Sequence, residues 1–397
     1  MYCPYLWKSQ CILTDGKVSP CCHSSSKKNW KNIDFEQGIY SKEHRIARET
    51  MQNNGWPDVC AVCENNEKQN IKSPRQRALE RFNSHTEQIK LEYLDIKFSN
   101  VCNLSCRMCN PASSSQLEYL YSKDKKDDIP SFLQFYHRKS LRETSDNEFR
   151  KERYVKQCII DGLEHLKVTG GEPFASRPFL NVIDWCDEEN YCENVGLSVT
   201  TNGTKYNQLL LWKLSKFKYL NVVVSVDGTG KIYDYIRQGS TWEKLQRNLG
   251  SFDDFFKDKK DKLRYHNNTI HIATILQFYN IFDIPNLIDW CVDKNYRLKV
   301  DVNLKPEDSE LSIKYLPLFL KREAIKDLQA KQKEHSDKSW VVDQVTNIVK
   351  YIVSTEGKED NNKHKELKKT ISIQDKKHKT KYFDYLDKRQ VDFIDHV

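Results

Sequence analysis

At 397 residues, the chain is long enough for two or three domains and a sizeable core. A hydrophobic share of 38% and a charged share of 30% are globular values, and no apolar run is long enough for a transmembrane helix. The net charge of +8 leaves nucleic-acid binding a minor hypothesis. The N-terminus lacks a signal-peptide pattern, so a cytoplasmic protein is predicted. In that compartment, thirteen cysteines favour metal binding or catalysis over disulfides.

Three domains are predicted along the chain. Residues 1–88 form a cysteine-rich, irregular unit with a turn signal at Asp15-Gly16 and one helix around Ser41–Asn53. Residues 89–310 alternate strand-like and helix-like segments. Residues 311–397 form a helical, lysine-rich extension.

The central domain has the pattern of an α/β fold. Its predicted strands are Tyr93–Phe98, His165–Thr169, Gly196–Thr200, Leu220–Val226, Thr269–Leu276 and Leu298–Val302. Helices are predicted between them, for example at Leu209–Phe217 and Pro285–Val292, and a charged helical insertion is predicted at about Glu118–Lys156. This alternation favours a parallel sheet, either open or curled into a barrel.

The C-terminal extension reads as helical after Pro317. Apolar residues recur there at helical spacing, which indicates core packing or a docking face: Val341, Val342, Val345, Ile348, Val349 and Ile352. The lysine-rich stretch Glu356–Lys381 is predicted to form a solvated face or a mobile segment rather than a nucleic-acid-binding arm.

Three cysteines follow the first strand of the central domain. Cys102, Cys106 and Cys109 are spaced C-x3-C-x2-C within eight residues. Three soft ligands suit a metal that favours thiolates, but they are one short of a closed zinc site or a fully protein-held iron–sulfur cluster. An open metal position can bind a substrate or cofactor, so this loop predicts chemistry rather than structural zinc.

A second motif, Val168-Thr-Gly-Gly-Glu-Pro173, follows the next strand. Gly170 and Gly171 allow a ligand to approach the backbone, and Glu172 places a carboxylate where parallel α/β folds bind ligands.

Together the two motifs resemble the radical S-adenosylmethionine (SAM) superfamily. The resemblance implies a partial (β/α)6 TIM-like barrel in which the three cysteines hold a [4Fe–4S] cluster and SAM chelates its fourth iron. Gly170, Gly171 and Glu172 would then receive the methionyl amino group, and the backbone of Met108 would meet the adenine edge.

Further residues match the superfamily in chain order. Thr200 and Asn202, in Thr200-Thr-Asn-Gly203, would lie near the SAM ribose, and so would Ser225, in Ser225-Val-Asp-Gly228. Arg237 matches an arginine that pairs with the SAM carboxylate, a contact for which a guanidinium is well suited.

The N-terminal cysteines resemble a SPASM or twitch domain, as in phage-type twitch-containing radical SAM proteins. Cys3, Gly16 and Cys21 form a C-x12-G-x4-C pattern, and Cys60-Ala-Val-Cys63 follows. The resemblance implies one auxiliary [4Fe–4S] cluster held by Cys3, Cys21, Cys60 and Cys63. Cys22 is an alternative ligand to Cys21, and a tetrahedral zinc knuckle is an alternative to the cluster.

The expected function is reductive cleavage of SAM to a 5′-deoxyadenosyl radical, which abstracts hydrogen from a peptide or protein side chain. An external one-electron donor of the flavodoxin or ferredoxin type would be the partner. A small metabolite or nucleotide is the alternative substrate, and a non-enzymatic zinc protein that binds nucleic acid is the alternative class. Four other cysteines are predicted to be buried, inert thiols: Cys158, Cys186, Cys192 and Cys291.

Overall fold

The computed structural model of the chain describes residues 1–24, 30, 33–68, 72–82, 87–136, 145–205, 207–257, 270–302, 304 and 308–397. The helices are α1 (Pro4–Lys8), α2 (Lys42–Gln52), α3 (Ala61–Lys68), α4 (Pro74–Arg81), α5 (Ser115–Tyr121), α6 (Ser145–Ile160), α7 (Arg177–Glu188), α8 (Gln208–Leu214), α9 (Gly230–Ile236), α10 (Trp242–Lys257), α11 (Ile284–Asp293), α12 (Leu318–Glu334), α13 (Ser339–Val353), α14 (Asn361–His378) and α15 (Lys388–His396). The strands are β1 (Ser9–Ile12), β2 (Val18–Ser19), β3 (Tyr93–Ile96), β4 (His165–Val168), β5 (Gly196–Thr201), β6 (Leu220–Ser225), β7 (Ile270–Ile275) and β8 (Arg297–Asp301). No helix within these ranges is long and apolar enough to cross a membrane.

The strands form a sheet in the order β2-β1-β3-β4-β5-β6-β7-β8. β1 and β2 are antiparallel, and the pairs β1–β3, β3–β4, β4–β5, β6–β7 and β7–β8 are parallel. The sheet is open, with β2 and β8 at its edges. The predicted α/β fold is therefore confirmed, with a mainly parallel sheet that does not close.

All six predicted strands are present as β3 to β8, and none of their ends differs from the prediction by more than two residues. In β6 and β7 buried residues alternate with partly exposed ones, the period that a strand with one covered face requires. Thr269, predicted to begin its strand, lies outside the described residues. The predicted insertion contains α5, two 3-10 turns and α6, with residues 137–144 outside the described part of the chain.

The chain divides into two compact units. The first contains Met1–Asn100, Arg142–Val199 and Gln208–Leu220, and the second contains Val101–Leu141, Thr200–Asn207 and Asn221–Val397. In the first unit, β1 of the cysteine-rich segment pairs with β3 of the central segment, so the N-terminal residues extend the sheet.

A buried lysine ties the ends of β1 and β3 together inside the first unit. Lys151, on α6, is 0% exposed. Its three N–H groups are shared among four backbone carbonyls, those of Thr14 at 2.7 Å, Lys97 at 3.0 Å, Leu13 at 3.1 Å and Phe98 at 3.3 Å from Nζ. One ammonium thus fixes the segments that leave both strands.

The helical extension belongs to the second unit. In α13, Val341, Val345, Ile348 and Ile352 are buried, so the predicted apolar stripe is core packing. Gln344 of the same helix accepts from the amide of Val300 in β8 at 2.9 Å. The extension therefore packs against the sheet of its own unit.

Helix α14 has two faces, so the prediction for its lysine-rich stretch is correct for one face and wrong for the other. Lys365, Lys368, Lys369 and Lys376 are exposed, as a solvated face requires. His364, Leu367, Ile371 and Gln374 are buried on the opposite face. This buried face was hard to recognise in the sequence, because it contains polar as well as apolar residues and lies among many lysines.

Candidate functional site

The C-x3-C-x2-C cysteines lie on the loop 101–110, which follows β3 in the chain. Arg107 N donates to Ile236 O at the end of α9, at 3.0 Å. Cys109 N donates to Cys106 O at 3.0 Å, which closes a turn between these two cysteines. The loop is thus held by backbone hydrogen bonds on both sides of its central residue.

In this loop Cys106 is buried and Cys102 and Cys109 are half-buried, and the first two thiols lie close enough to affect the third. Cys106 is 5% exposed. Burial raises the pKa of the Cys106 thiol, and the nearby Arg237 opposes that rise. Burial, with the neighbouring Cys106 and Cys102, raises the pKa of Cys109 to about 12. Such thiols stay protonated near neutral pH unless a metal cation stabilises the thiolates, so the donor set fits a metal cluster.

A side-chain network supports the first cysteine. Asn202 Nδ2 donates to Asn103 Oδ1 at 3.0 Å and lies 3.9 Å from Cys102 Sγ. Asn103 Nδ2 donates to Thr204 Oγ1 at 2.8 Å, and the Thr204 hydroxyl donates to Asn202 Oδ1 at 2.6 Å. The loop residue next to Cys102 is therefore locked to the turn that follows β5.

Arg237, at the end of α9, is paired with a carboxylate of the protein. Its guanidinium lies 2.5 Å from Asp227 Oδ2, and its Nη1 lies 3.8 Å from Cys106 Sγ. Asp227 Oδ1 accepts from the amide of Ile275 at 2.9 Å and from the hydroxyl of Thr274 at 3.1 Å. The carboxylate is thereby fixed by β7 and holds the arginine beside the second cysteine.

The Arg237 cation is permanent. Burial disfavours its charge, but Asp227 and Cys106 outweigh burial and raise the pKa of Arg237. Its buried Nε has no hydrogen-bond partner within the described ranges. Since a buried donor without a partner is costly, this N–H is a candidate contact for a bound ligand.

The Gly-Gly-Glu turn lies in the first unit, after β4. Gly170 and Gly171 have φ values of 78° and 54°. A Cβ on Gly170 would lie 2.7 Å from Lys97 Cγ, so this position requires glycine. Glu172 is 0% exposed, and its Oε1 accepts from the amide of Phe174 at 3.0 Å.

The other matched positions are placed as follows. Met108 is buried at 7% exposure in the cysteine loop. Thr200 lies in β5 and is half-buried. Ser225 is half-buried at the end of β6, opposite Ala273 of β7.

Cys3, Cys21, Cys60 and Cys63 line one cavity in the first unit. Burial raises the pKa of Cys3 well above its usual value, and the nearby Cys21 and Cys60 raise it further. Burial also raises the pKa of Cys21 to about 12, with Cys22 and Cys63 contributing. The four predicted thiols are therefore gathered, and their chemistry fits a thiolate-held metal centre.

Two polar groups form hydrogen bonds with the thiol of Cys63. Burial raises the pKa of Cys63, while hydrogen bonds from the Arg75 backbone and the Ser73 side chain lower it. Arg75 is itself held by Glu67 through bonds of 2.9 and 2.6 Å. These donors would stabilise a thiolate at Cys63.

Cys21 and Cys22 have different surroundings. Cys21 lines the cavity, and its Sγ lies 3.4 Å from Ser24 Oγ. Cys22 is exposed, with its Sγ 3.8 Å from Lys167 Nζ. Lys167 in turn pairs with Asp95 at 2.6 Å. The thiol that faces the other three cysteines is that of Cys21.

A family profile decides the affiliation. The profile described as "Radical SAM superfamily" matches residues 96–290, which contain the cysteine loop, the Gly-Gly-Glu turn and Arg237. Residues 96–290 are a radical SAM domain. Proteins of this superfamily use a [4Fe–4S] cluster and SAM.

Curated relatives of this radical SAM protein match in part. GTP 3′,8-cyclase of Actinobacillus pleuropneumoniae serotype 5b (strain L20) is 24% identical over 208 residues, which are 52% of this chain and 51% of the relative. The radical SAM cyclopropyl synthase TigE of Paramaledivibacter caminithermalis is 23% identical over 235 residues, 55% of this chain and 46% of the relative. The chain thus spans about half the length of the curated relatives it matches.

Solved structures are similar only at a low level. Native anSMEcpe with bound AdoMet is 18% identical, with 62% of this chain and 59% of that chain covered and a TM-score of 0.39. Streptococcus suis SuiB bound to precursor peptide SuiA is 16% identical, with 79% and 55% covered and a TM-score of 0.39.

Sequence reasoning missed several residues of the radical SAM protein's sites. Asp227 stands inside the quoted Ser225-Val-Asp-Gly228 motif, and its charge beside Gly228 was the available signal. Asn103 adjoins a ligand cysteine, which was also a usable signal. Ser73 and Arg75 gave none, because only folding brings them to Cys63. Four cysteines outside both ligand sets are buried, as predicted: Cys158, Cys186, Cys192 and Cys291.

Proposed function

We propose that the chain is an enzyme that cleaves SAM reductively and removes hydrogen from a substrate. The observation that carries this proposal is the loop that gathers Cys102, Cys106 and Cys109, where the first two thiols raise the pKa of Cys109 and the Arg237 cation lies beside Cys106 Sγ. These three cysteines would hold a [4Fe–4S] cluster. With SAM bound, such a cluster supplies a 5′-deoxyadenosyl radical.

The residues around the loop have separate tasks in this proposal. The Arg237 cation lies beside Cys106 Sγ and offsets the negative charge of the thiolates, and its unpartnered Nε–H is available to the SAM carboxylate. Asn202 orients the loop through Asn103.

The other matched positions keep, on the sequence match, the roles that the family resemblance gives them. Gly170, Gly171 and Glu172 would receive the methionyl amino group, and Met108 would meet the adenine. Thr200 and Ser225 would face the ribose.

An auxiliary [4Fe–4S] cluster would be held by Cys3, Cys21, Cys60 and Cys63. The shared cavity and the mutual effect of the thiols on their pKa values support this set. The surroundings of the two thiols support Cys21 rather than Cys22 as the ligand, because Cys21 lines the cavity and Cys22 lies beside Lys167. The auxiliary centre would accept an electron from the substrate or conduct one.

The substrate is a peptide or protein side chain in our proposal, on the strength of the twitch-like cysteine pattern. A nucleotide is the second candidate, because relatives at 24% identity carry the name GTP 3′,8-cyclase. An external flavodoxin- or ferredoxin-type donor would reduce the SAM-binding cluster, and the cytoplasm is the expected compartment.

Anaerobic reconstitution tests the enzyme proposal. With iron, sulfide, SAM and dithionite, the chain should bind roughly eight irons and release 5′-deoxyadenosine. Changing Cys102, Cys106 and Cys109 to Ala should remove about half of the iron and all cleavage. A matched control changes three other buried cysteines to Ala: Cys158, Cys186 and Cys192. Colourless, zinc-bound protein that leaves SAM intact would support the zinc-protein alternative and refute the proposal.

Isotope transfer separates the substrate classes. Ribose-deuterated GTP should leave 5′-deoxyadenosine free of deuterium, whereas a side-chain-deuterated form of any precursor peptide that a neighbouring gene encodes should transfer it. Deuterium from GTP would replace the peptide proposal with the nucleotide one.

A further inference from the structure

The C-terminal extension contacts the cysteine loop within the second unit. Arg107 stands between the second and third cysteines, and its side chain is 0% exposed. Gln374 and Asp375 of α14 contact it, although Gln374 lies 267 positions further along the chain. The contact therefore exists only in the folded chain.

Gln374 contacts the loop through both ends of its amide. Its Nε2 donates to the backbone carbonyl of Arg107 at 2.7 Å. Its Oε1 accepts from the hydroxyl of Tyr279 at 2.7 Å. Arg107 Nη1 also donates to Oε1 at 3.4 Å, and because a guanidinium can only donate, the amide nitrogen faces the loop carbonyl. With Arg107 N bonded to Ile236 O at 3.0 Å, the peptide groups on both sides of Arg107 are fixed.

Asp375 holds the side chain of the same residue. It accepts from Arg107 Nη2 at 2.8 Å and from the Tyr235 hydroxyl at 3.0 Å. The guanidinium lies 3.7 Å from the centroid of the Tyr235 ring, and its Nε donates to Tyr235 O at 2.7 Å. Charge-assisted bonds of this kind are stronger than neutral ones, so α14 and α9 enclose Arg107.

We propose that Gln374 and Asp375 are positioning residues, which hold the loop 101–110 in the shape that its three thiols need for a cluster. This inference rests on the proposed function, since it assigns the loop a cluster. Hydrogen bonds and solvent access around a cluster set its reduction potential, so a loosened loop should change that potential.

Hydrogen exchange on the cluster-free chain tests whether the contacts from α14 hold the loop 101–110, independently of any cluster. Gln374→Glu keeps the shape of the side chain but removes the N–H donor to Arg107 O. The amides of residues 101–110 should exchange roughly tenfold faster in this variant. Lys376→Ala, exposed on the same helix, is the control and should leave the rates unchanged. Unchanged loop exchange in the Gln374 variant overturns the proposal.

The reconstituted chain tests the effect on the cluster. Asp375→Asn preserves the side-chain shape and removes the charge that faces Arg107, so it serves as the second variant. Both variants should shift the midpoint potential and the EPR signal of the reduced SAM-site cluster, while the auxiliary cluster keeps its signal. Wild-type potential and EPR signals in both variants overturn the positioning role. If the wild-type chain takes up no cluster at the three cysteines, the proposed function fails instead. The exchange experiment still shows whether Gln374 holds the loop.

Discussion

The buried ammonium of Lys151 gives a sharp prediction about stability. Lys151→Met keeps most of the volume of the side chain but removes the charge and all donors. The carbonyls at the ends of β1 and β3 then lose the group that holds them together. We expect a large loss of stability in the first unit.

The size of the loss follows from the number of carbonyls affected. Leu13 O also accepts from Gly16 N at 3.0 Å, so it keeps a donor after the change. Three other carbonyls lose the ammonium. At about 1–3 kcal/mol for each buried group left unsatisfied, with part regained by removing a desolvated charge, the free energy of unfolding should fall by roughly 3–5 kcal/mol.

Urea unfolding of the iron-free chain under reducing conditions, followed by circular dichroism, measures this loss. Lys156→Met is the matched control, since Lys156 lies on the same helix in an i,i+4 pair with Glu152. Such a pair contributes only about 0.2–0.5 kcal/mol. If both variants unfold at the same urea concentration, the ammonium does not stabilise the strand ends as described.

Three further predictions concern other positions. Cys21→Ser should lose about four irons per chain and Cys22→Ser none, as iron analysis would show, and equal losses would contradict the assignment. Gly170→Ala should lower the free energy of unfolding by more than about 1 kcal/mol, because its φ is positive and Lys97 is in the way. Gly250→Ala in α10, where the new Cβ meets no atom within 4 Å, should instead raise it by about 0.5–1 kcal/mol in the same urea assay. Burial, with Arg81 and Lys167 nearby, lowers the pKa of His165 to about 3, against about 6.5 in the unfolded chain. Between about pH 6.5 and pH 3 the unfolded chain therefore binds one more proton at this residue than the folded chain does. The contribution of His165 to the free energy of unfolding is complete above pH ~6.5 and falls by about 1.4 kcal/mol per pH unit below it. His165→Phe should remove this contribution to the pH dependence in the same urea assay.

Local patterns made much of the fold predictable. Each of β3 to β8 is a short run whose own residues show the strand period, and the helices between them show theirs. Helix α2 begins directly after Ser41, whose side chain accepts from the amide of His44, and capping of this kind is readable from the sequence. The cysteine spacing likewise identified the superfamily, because three ligands close in the chain must be close in space.

Long-range partners were not predictable in the same way. The sequence around Arg107 does not predict its contact with Gln374, and the sequence around Cys63 does not predict Ser73 and Arg75 as its hydrogen-bond donors. The lysines of α14 concealed a buried face, since a helix that presents charge to solvent can still pack its other side.

The sequence by itself therefore determined the superfamily, the α/β pattern and the two groups of thiols, because these depend on residue type and short spacing. Tertiary structure alone decided what holds the cysteine loop: Asp227 fixing Arg237, and α14 enclosing Arg107. Those contacts join residues far apart in the chain, and only the packed fold pairs each buried charge with its partner.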